Sequence, residues 1–239
     1  MRFRHAKVKA MLQALAPNLW HTTHHFKANG LAISSRMTVV RLASGKLWLH
    51  SPVPFTSALQ AELKALGEVG TIVAPNKMHH LFAGECAALY PQAQLYGAPG
   101  LRKKRPDLNQ MQDLPAPGTG AWCPELDHLL FGGIPLANET DWFHAPSGTL
   151  VLTDLCQWMD GDMPWATVLY AKATGVRKQL EVPYTVRLLV RDKAAARASA
   201  AQLLHWPFTR VVVAHNVVIE TNATADARTE LLRALRAFG

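Results

Sequence analysis

Three apolar segments of this 239-residue chain end in side chains that bind metal ions. Val69-Gly70-Thr71-Ile72-Val73 runs into Ala74-Pro75-Asn76-Lys77-Met78-His79-His80, Thr149-Leu150-Val151-Leu152-Thr153 into Asp154, and Arg210-Val211-Val212-Val213-Ala214 into His215. Neutral imidazole and carboxylate are ligands for zinc, and for iron or manganese. Each residue also has a plainer use. A His-His pair can be one packed and one exposed ring. Asp154 can cap the next segment or pair with an arginine, and His215 can be held by a backbone carbonyl. Three strand ends carrying His-His, Asp and His make metal binding the sharper expectation, because function in layered α/β folds gathers at strand ends.

The elements that must position these residues follow from periodicity and turn residues. Residues 18–26 read as extended, and Asn29-Gly30 as a turn. Arg36–Leu42 and Leu47–His50 form a hairpin around Ala43-Ser44-Gly45-Lys46. Thr56 or Ser57 caps a helix to Leu66, with Leu59, Leu63 and Leu66 at helical spacing and Gly67 beyond its end. The strand ending at Val73 leads through His79-His80 into a helix over Leu81–Tyr90. At such a junction both rings can turn toward one point, and a helix N-terminus favours neutral imidazole. Ala93–Tyr96 is a short strand, and residues 108–120 are loop. Further strands are expected over 128–131, 141–144, 149–153 and 210–214. Helices are expected over 164–173, over 186–204 with a division at Arg191-Asp192-Lys193, and over 224–238. The pattern predicts one domain over 1–239, with an N-terminal helical extension over 1–17 and two sheets between outer helices.

Composition narrows the function classes. Hydrophobic residues are 49% and charged residues 18% of the chain, as in an ordinary globular protein. No apolar run approaches the ~20 residues that span a bilayer, and the basic N-terminus lacks a secretory apolar core, so a cytoplasmic protein is expected. Three cysteines without paired spacing argue against a disulfide framework or a zinc ribbon. The net charge of +8 is spread out, apart from the N-terminus and Arg102-Lys103-Lys104-Arg105. It is consistent with solubility, with an anionic small-molecule substrate, or with nucleic acid.

The order of these elements resembles the metallo-β-lactamase fold, a four-layer αββα sandwich of the α/β class. The stretches 73–82, Ala98-Pro99-Gly100-Leu101, Ser147–Asp154 and Val213-Ala214-His215 resemble an uncharacterised family within that superfamily, over about residues 18 to 220. The superfamily signature is H-x-H-x-D-H. His80 takes its final histidine and His79 its aspartate, while Pro75 and Lys77 stand where the first two histidines would be. The next histidine would fall near Tyr96-Gly97-Ala98, where there is none. Asp154 matches the bridging aspartate and His215 the last histidine.

The resemblance therefore implies that the first metal position is lost. The second survives as His79, His80, Asp154 and His215, a set suited to one divalent metal, zinc before iron or manganese. It implies a metal-dependent hydrolase of ester-like, thioester-like or phosphoester substrates, with Asp154 orienting the attacking water. His50, Asn76 and Lys103 are expected to line the pocket. Two alternatives stay open: a non-catalytic binding protein that keeps the fold, and a nucleic-acid-processing protein.

Overall fold

A computed structural model of the chain describes residues 11–28, 30–223 and 225–239. Among them the first sheet has seven strands in the order β1-β2-β3-β4-β5-β6-β7. These are β1 (Gln13–Ala16), β2 (Leu19–Ala28), β3 (Leu31–Arg41), β4 (Leu47–His50), β5 (Val69–Ala74), β6 (Gln94–Gly97) and β7 (Gln112–Asp113). The second sheet has five, in the order β12-β11-β10-β9-β8. They are β8 (Leu126–Leu130), β9 (Thr140–His144), β10 (Thr149–Val151), β11 (Arg210–Val212) and β12 (Val218–Glu220). Helices α1 (Ser57–Leu66), α2 (Ala83–Leu89) and α3 (Leu101–Lys104) connect the parallel strands β4 to β7. Helices α4 (Trp165–Ala173), α5 (Tyr184–Leu188) and α6 (Lys193–Leu203) lie between β10 and β11, and α7 (Ala227–Leu235) follows β12.

Alternation along each strand creates the layers, since successive side chains point to opposite faces. Leu47 and Leu49 of β4 pack outward with Leu59 and Leu63 of α1, while Trp48 points between the sheets. In the second sheet Phe143, Leu150 and Val211 pack outward with Ala196 and Ala200 of α6 and Leu231 of α7. Their neighbours Trp142, Val151 and Val212 point inward to meet Leu19, Val40, Trp48 and Val73. The expected αββα sandwich is the architecture observed. Trp142 lies at its centre, 4.8 Å from Trp48 and 5.1 Å from Trp122 between ring centroids, and stacked on His128 at 4.7 Å.

Two local expectations are corrected. The N-terminal helical extension does not extend over residues 13–16, which form β1 on the edge of β2; residues 1–10 lie outside the described residues. The Met11 and Leu12 amides donate to the Glu62 carboxylate of α1 at 2.9 and 2.8 Å, and Leu12 is buried. Sheet pairing and that anchor override the helix propensity of Ala, Leu and Gln. The second correction is α2, which starts at Ala83 instead of Leu81. The Asn76 side-chain oxygen accepts from the Met78 and His79 amides at 2.8 and 2.7 Å, and this turn competes with helix formation. The division near residue 191 is observed, with α5 and α6 separate. Thr56 caps α1 through a bond from the Leu59 amide at 3.2 Å. Strand β12 has no counterpart in the periodicity. No described helix is long and apolar enough to cross a membrane, and all three cysteines are free.

Buried histidines give the fold a defined acid sensitivity. Burial lowers the His144 pKa to about 4. Burial and the Arg36 charge lower His21 to about 4 as well. A depressed folded-state pKa means that the unfolded chain takes up protons first. This contribution is complete above the ordinary pKa near 6.5 and is lost as pH falls from there toward 4. Thermal melts should therefore show a falling midpoint across that window. The fall should be smaller in His144→Asn, whose amide can still reach the Ser147 hydroxyl that lies 2.7 Å from His144 Nδ1. An unchanged slope in that variant would remove His144 as a contributor.

Candidate metal centre

His79, Asp154 and His215 come together at one end of the inter-sheet space. His79 sits in the turn after β5, Asp154 just past β10 and His215 just past β11. Their ligand atoms all lie within 4.8 Å of one another, and they are the one such group of three among the described residues. Asp154 Oδ1 is 3.0 Å from His215 Nε2 and 3.4 Å from His79 Nε2.

Each ring is oriented from behind. His215 Nδ1 lies in close contact with the Ser34 carbonyl of β3, an acceptor only, so Nδ1 must carry a proton and donate it. A neutral His215 then presents the Nε2 lone pair to a carboxylate oxygen. Two acceptors 3.0 Å apart need a cation between them, either a second proton on the ring or a metal ion. His79 Nδ1 is 2.9 Å from the Ser51 hydroxyl and 3.4 Å from that of Ser35. With Nδ1 so occupied, its Nε2 also faces Asp154. Outer partners that fix ring orientation and tautomer are typical of metal-binding histidines. The donor set, two imidazole nitrogens and a carboxylate oxygen, fits zinc.

Charge follows the same pattern. Burial acts to raise the Asp154 pKa, but the two histidines and their hydrogen bonds outweigh it and hold the carboxyl well below its usual range. For His215 burial acts to lower the pKa, and the bond and charge of Asp154 reverse this, leaving it raised. The site thus holds an ionised carboxylate that attracts a cation.

Asp154 is itself held by a buried polar network. Asn76, fully buried, donates Nδ2 to Asp154 Oδ2 at 2.8 Å and to Glu139 Oε2 at 3.2 Å. Glu139 accepts from the backbone amides of Thr153, Asp154 and Leu155 at 2.6, 2.8 and 3.0 Å. No donor reaches either oxygen of the buried Asp141. Its pKa is raised well above the carboxylate range by burial, by the Glu139 charge and by a hydrogen bond with Glu139. Burial and the Asp154 charge raise the Glu139 pKa too, but its bonds from the Thr153 and Asp154 amides and from Asp141 oppose that shift, so Asp141 is the more strongly held toward the protonated form. This support is not evident from sequence spacing: Glu139 lies 15 residues before Asp154, with no local pattern linking the two.

The expected ligand His80 is not in the group. Its Nδ1 accepts from Arg105 Nη1 at 3.0 Å, and its carbonyl accepts from the same atom at 3.1 Å. Arg105 is locked in turn to Asp107 at 2.7 Å. His80 therefore ties the turn to the end of α3. Burial, then the Lys104 and Arg105 charges, lower its pKa. The structure places the other expected residues as follows. His50 is buried behind the site, stacked on Trp48, and does not line the cavity over it. Asn76 lies beneath the site as a support. Lys103 is exposed on α3, away from the cavity. Pro75 offers its carbonyl to the Thr140 amide and hydroxyl at 2.8 and 2.9 Å, and Lys77 Nζ donates to the Pro135 carbonyl at 2.8 Å. A Cβ on Gly97 would meet the Met111 side chain, which packs where a side chain at that position would begin.

Ser51, Ser35 and Gln157 are site residues that the sequence reading missed. Gln157 Nε2 lies 3.4 Å from Asp154 Oδ1 and faces the cavity. The backbone would have been informative: Ser51 (φ 55°) and Asn216 (φ 69°), non-glycine residues in the left-handed region, adjoin the ligands His79 and His215. Such strain clusters at functional sites. A cavity of about 380 Å³ opens over the three ligands.

Removing an acceptor from the supporting network should be costly. Glu139→Gln turns one of the accepting positions into a donor facing backbone N–H groups, and unsatisfied buried groups cost about 1–3 kcal/mol. Urea unfolding should register a loss of that size with an unchanged m-value. A variant as stable as the parent would show that Glu139 does not carry this load.

Comparison with known proteins agrees with this architecture. The structure of a metallo-β-lactamase from Pontibacter korlensis superposes with a TM-score of 0.64 at 13% identity, over 95% of this chain and 97% of that one. A metallo-β-lactamase from Erythrobacter litoralis superposes at 0.65 with 14% identity, over 95% of each chain. At these identities the likeness concerns the fold. No curated protein sequence matches the chain. Residues 18–184 match the family described as a domain of unknown function, DUF4336. With more than half of its length matched, and with the two sheets and outer helices superposing on metallo-β-lactamases, the chain belongs to the DUF4336 family and has the metallo-β-lactamase fold.

Proposed function

We propose that the protein is a metal-dependent hydrolase with a mononuclear site, in which His79, Asp154 and His215 hold one divalent metal, zinc before iron or manganese. The observation that carries this reading is the pair of facing acceptors, His215 Nε2 and Asp154 Oδ1, joined by His79 Nε2. A metal bound there would lower the pKa of a coordinated water and polarise a carbonyl or phosphoryl oxygen of the substrate.

The chain's own residues supply the rest. The Ser34 carbonyl and the Ser51 hydroxyl hold the two imidazoles in orientation, each with Nε2 toward Asp154. Asn76 occupies Asp154 Oδ2, leaving Oδ1 toward the cavity to ligate and to orient water. Gln157 places an amide donor at the cavity wall. With His80 withdrawn, three protein ligands remain. That number leaves a position open in catalytic zinc sites, whereas four closes structural ones. This favours catalysis over a purely structural metal. The basic residues Lys103, Lys104 and Arg105 do not line the cavity, so nothing at the site favours a nucleic-acid substrate.

Metal analysis of the purified protein should find about one ion per chain. His79→Ala, Asp154→Ala and His215→Ala should each reduce it below about a tenth, and abolish turnover across ester, thioester and phosphoester panels. His80→Ala should retain the metal, in contrast to the four-ligand expectation. Because protons compete for the imidazoles, metal affinity should fall as pH falls. A protein that stays metal-free after equilibration with zinc, or that keeps metal in the Asp154 variant, would refute the proposal.

A further inference from the structure

Apart from Tyr170, the polar residues lining the cavity over the candidate metal centre are the His79–Asp154–His215 group with Ser35, Ser51 and Gln157 around it. Above them its walls are apolar, contributed by two segments that face each other. One is the far end of the β2–β3 hairpin. There Phe26 pairs with Ile33 and Ala28 with Leu31, so the four side chains share one face of the ribbon. Phe26 and Ala28 are half-buried, while Lys27, on the other face, is exposed. The opposing segment is the turn on either side of His79, which presents Met78, Leu81 and Phe82. Met78 and Leu81 are 57% and 58% exposed, a cost that ordinary core packing does not offset. None of the described residues lining the cavity is Lys or Arg; Asp154 is the one carboxylate. Despite the net charge of +8, the environment of the reacting centre is therefore acidic and apolar.

We infer that the site takes a neutral carboxylic ester or thioester bearing an alkyl or acyl chain, with the carbonyl at the His79–Asp154–His215 floor and the chain between Phe26, Leu31 and Ile33 on one side and Met78, Leu81 and Phe82 on the other. This choice of scissile group rests on the hydrolase reading; the chain pocket itself does not. A dianionic phosphomonoester is disfavoured, because a divalent metal beside Asp154 leaves about one positive charge at the floor and no lining Lys or Arg adds another. The cavity of about 380 Å³ is at the lower end of the range that holds small-molecule ligands. Its walls remove the chain from water and contribute most of the affinity. Hydrolysis would proceed by attack of water on the acyl carbon. The acyl–oxygen or acyl–sulfur bond breaks, the acid keeps the water oxygen, and the leaving alcohol or thiol takes a proton, so no further reactant is required.

Binding and turnover test the inference separately. Calorimetric titration of the purified protein with N-alkylacetamides, ethyl to decyl, reads the chain pocket without hydrolysis. Affinity should tighten by up to about fourfold per methylene, and alkyl phosphates of equal length should bind more weakly. Met78→Asp and Leu81→Asp change exposed side chains and should keep the circular dichroism spectrum and the metal content. They should flatten the dependence on chain length by about tenfold or more at the long end, with the ethyl probe unaffected. A flat series in the parent protein, or tighter binding of the phosphates, overturns the inference. Length-dependent binding without ester or thioester turnover would sustain the pocket and refute the hydrolase reading. Turnover that is indifferent to chain length would do the reverse.

Discussion

The site depends on one buried constraint: the Glu139 carboxyl, which has no Lys or Arg paired with it among the described residues. Its oxygens accept from three consecutive backbone amides, 153 to 155, and from the Asn76 amide, while the neighbouring Asp141 carboxyl is held toward its protonated form. Such a network stabilises only when every member is satisfied, and it then permits a single arrangement. Here that arrangement fixes the backbone at Asp154 from below. Asn76 carries the constraint across to the first sheet, since the same side chain shapes the turn bearing His79. The two sheets are thereby registered at the end where the ligands meet.

Departures from the superfamily signature become intelligible against this support. Pro75 and Lys77 are structural members of the same junction. The Pro75 carbonyl binds Thr140 of β9, and the Lys77 amide donates to the Ala137 carbonyl at 3.2 Å. His80, one residue from a ligand, is drawn to Arg105. Adjacent residues in a turn project in different directions. Once Asn76 sets the turn so that His79 faces Asp154, His80 is directed toward α3. The departure of Pro75 and Lys77 from the signature and the withdrawal of His80 from the candidate centre thus belong to one turn.

Net charge and local environment point in opposite directions. Among the described residues, Arg102, Lys103 and Lys104 of α3 lie on exposed surface, whereas no Lys or Arg lines the cavity, whose one carboxylate is Asp154. Charge at the surface acts on encounter over about a Debye length. What binds at the floor is decided by the groups that touch it, and those are His79, Asp154, His215 and Gln157 beneath apolar walls.

By itself the sequence determined the layers and pointed to the three residues that meet in the candidate centre. Period-two alternation in β4, β5, β9, β10 and β11 assigns one face of each strand to an outer helix and the other to the inter-sheet core. A ligand-capable residue just past an apolar strand is legible because strand ends are where backbone polarity and solvent access return. Only the tertiary structure decided the rest. The sequence offered His79 and His80 as equals, and long-range bonds from Asn76 and Arg105 separated them. The helix expected at the N-terminus became β1 because β2 and Glu62 supplied partners far along the chain. Glu139, Ser34 and Ser51 entered the site through contacts that no local pattern encodes. Propensity and periodicity record what a segment prefers alone, whereas orientation of a side chain within a turn is set by partners that folding brings to it.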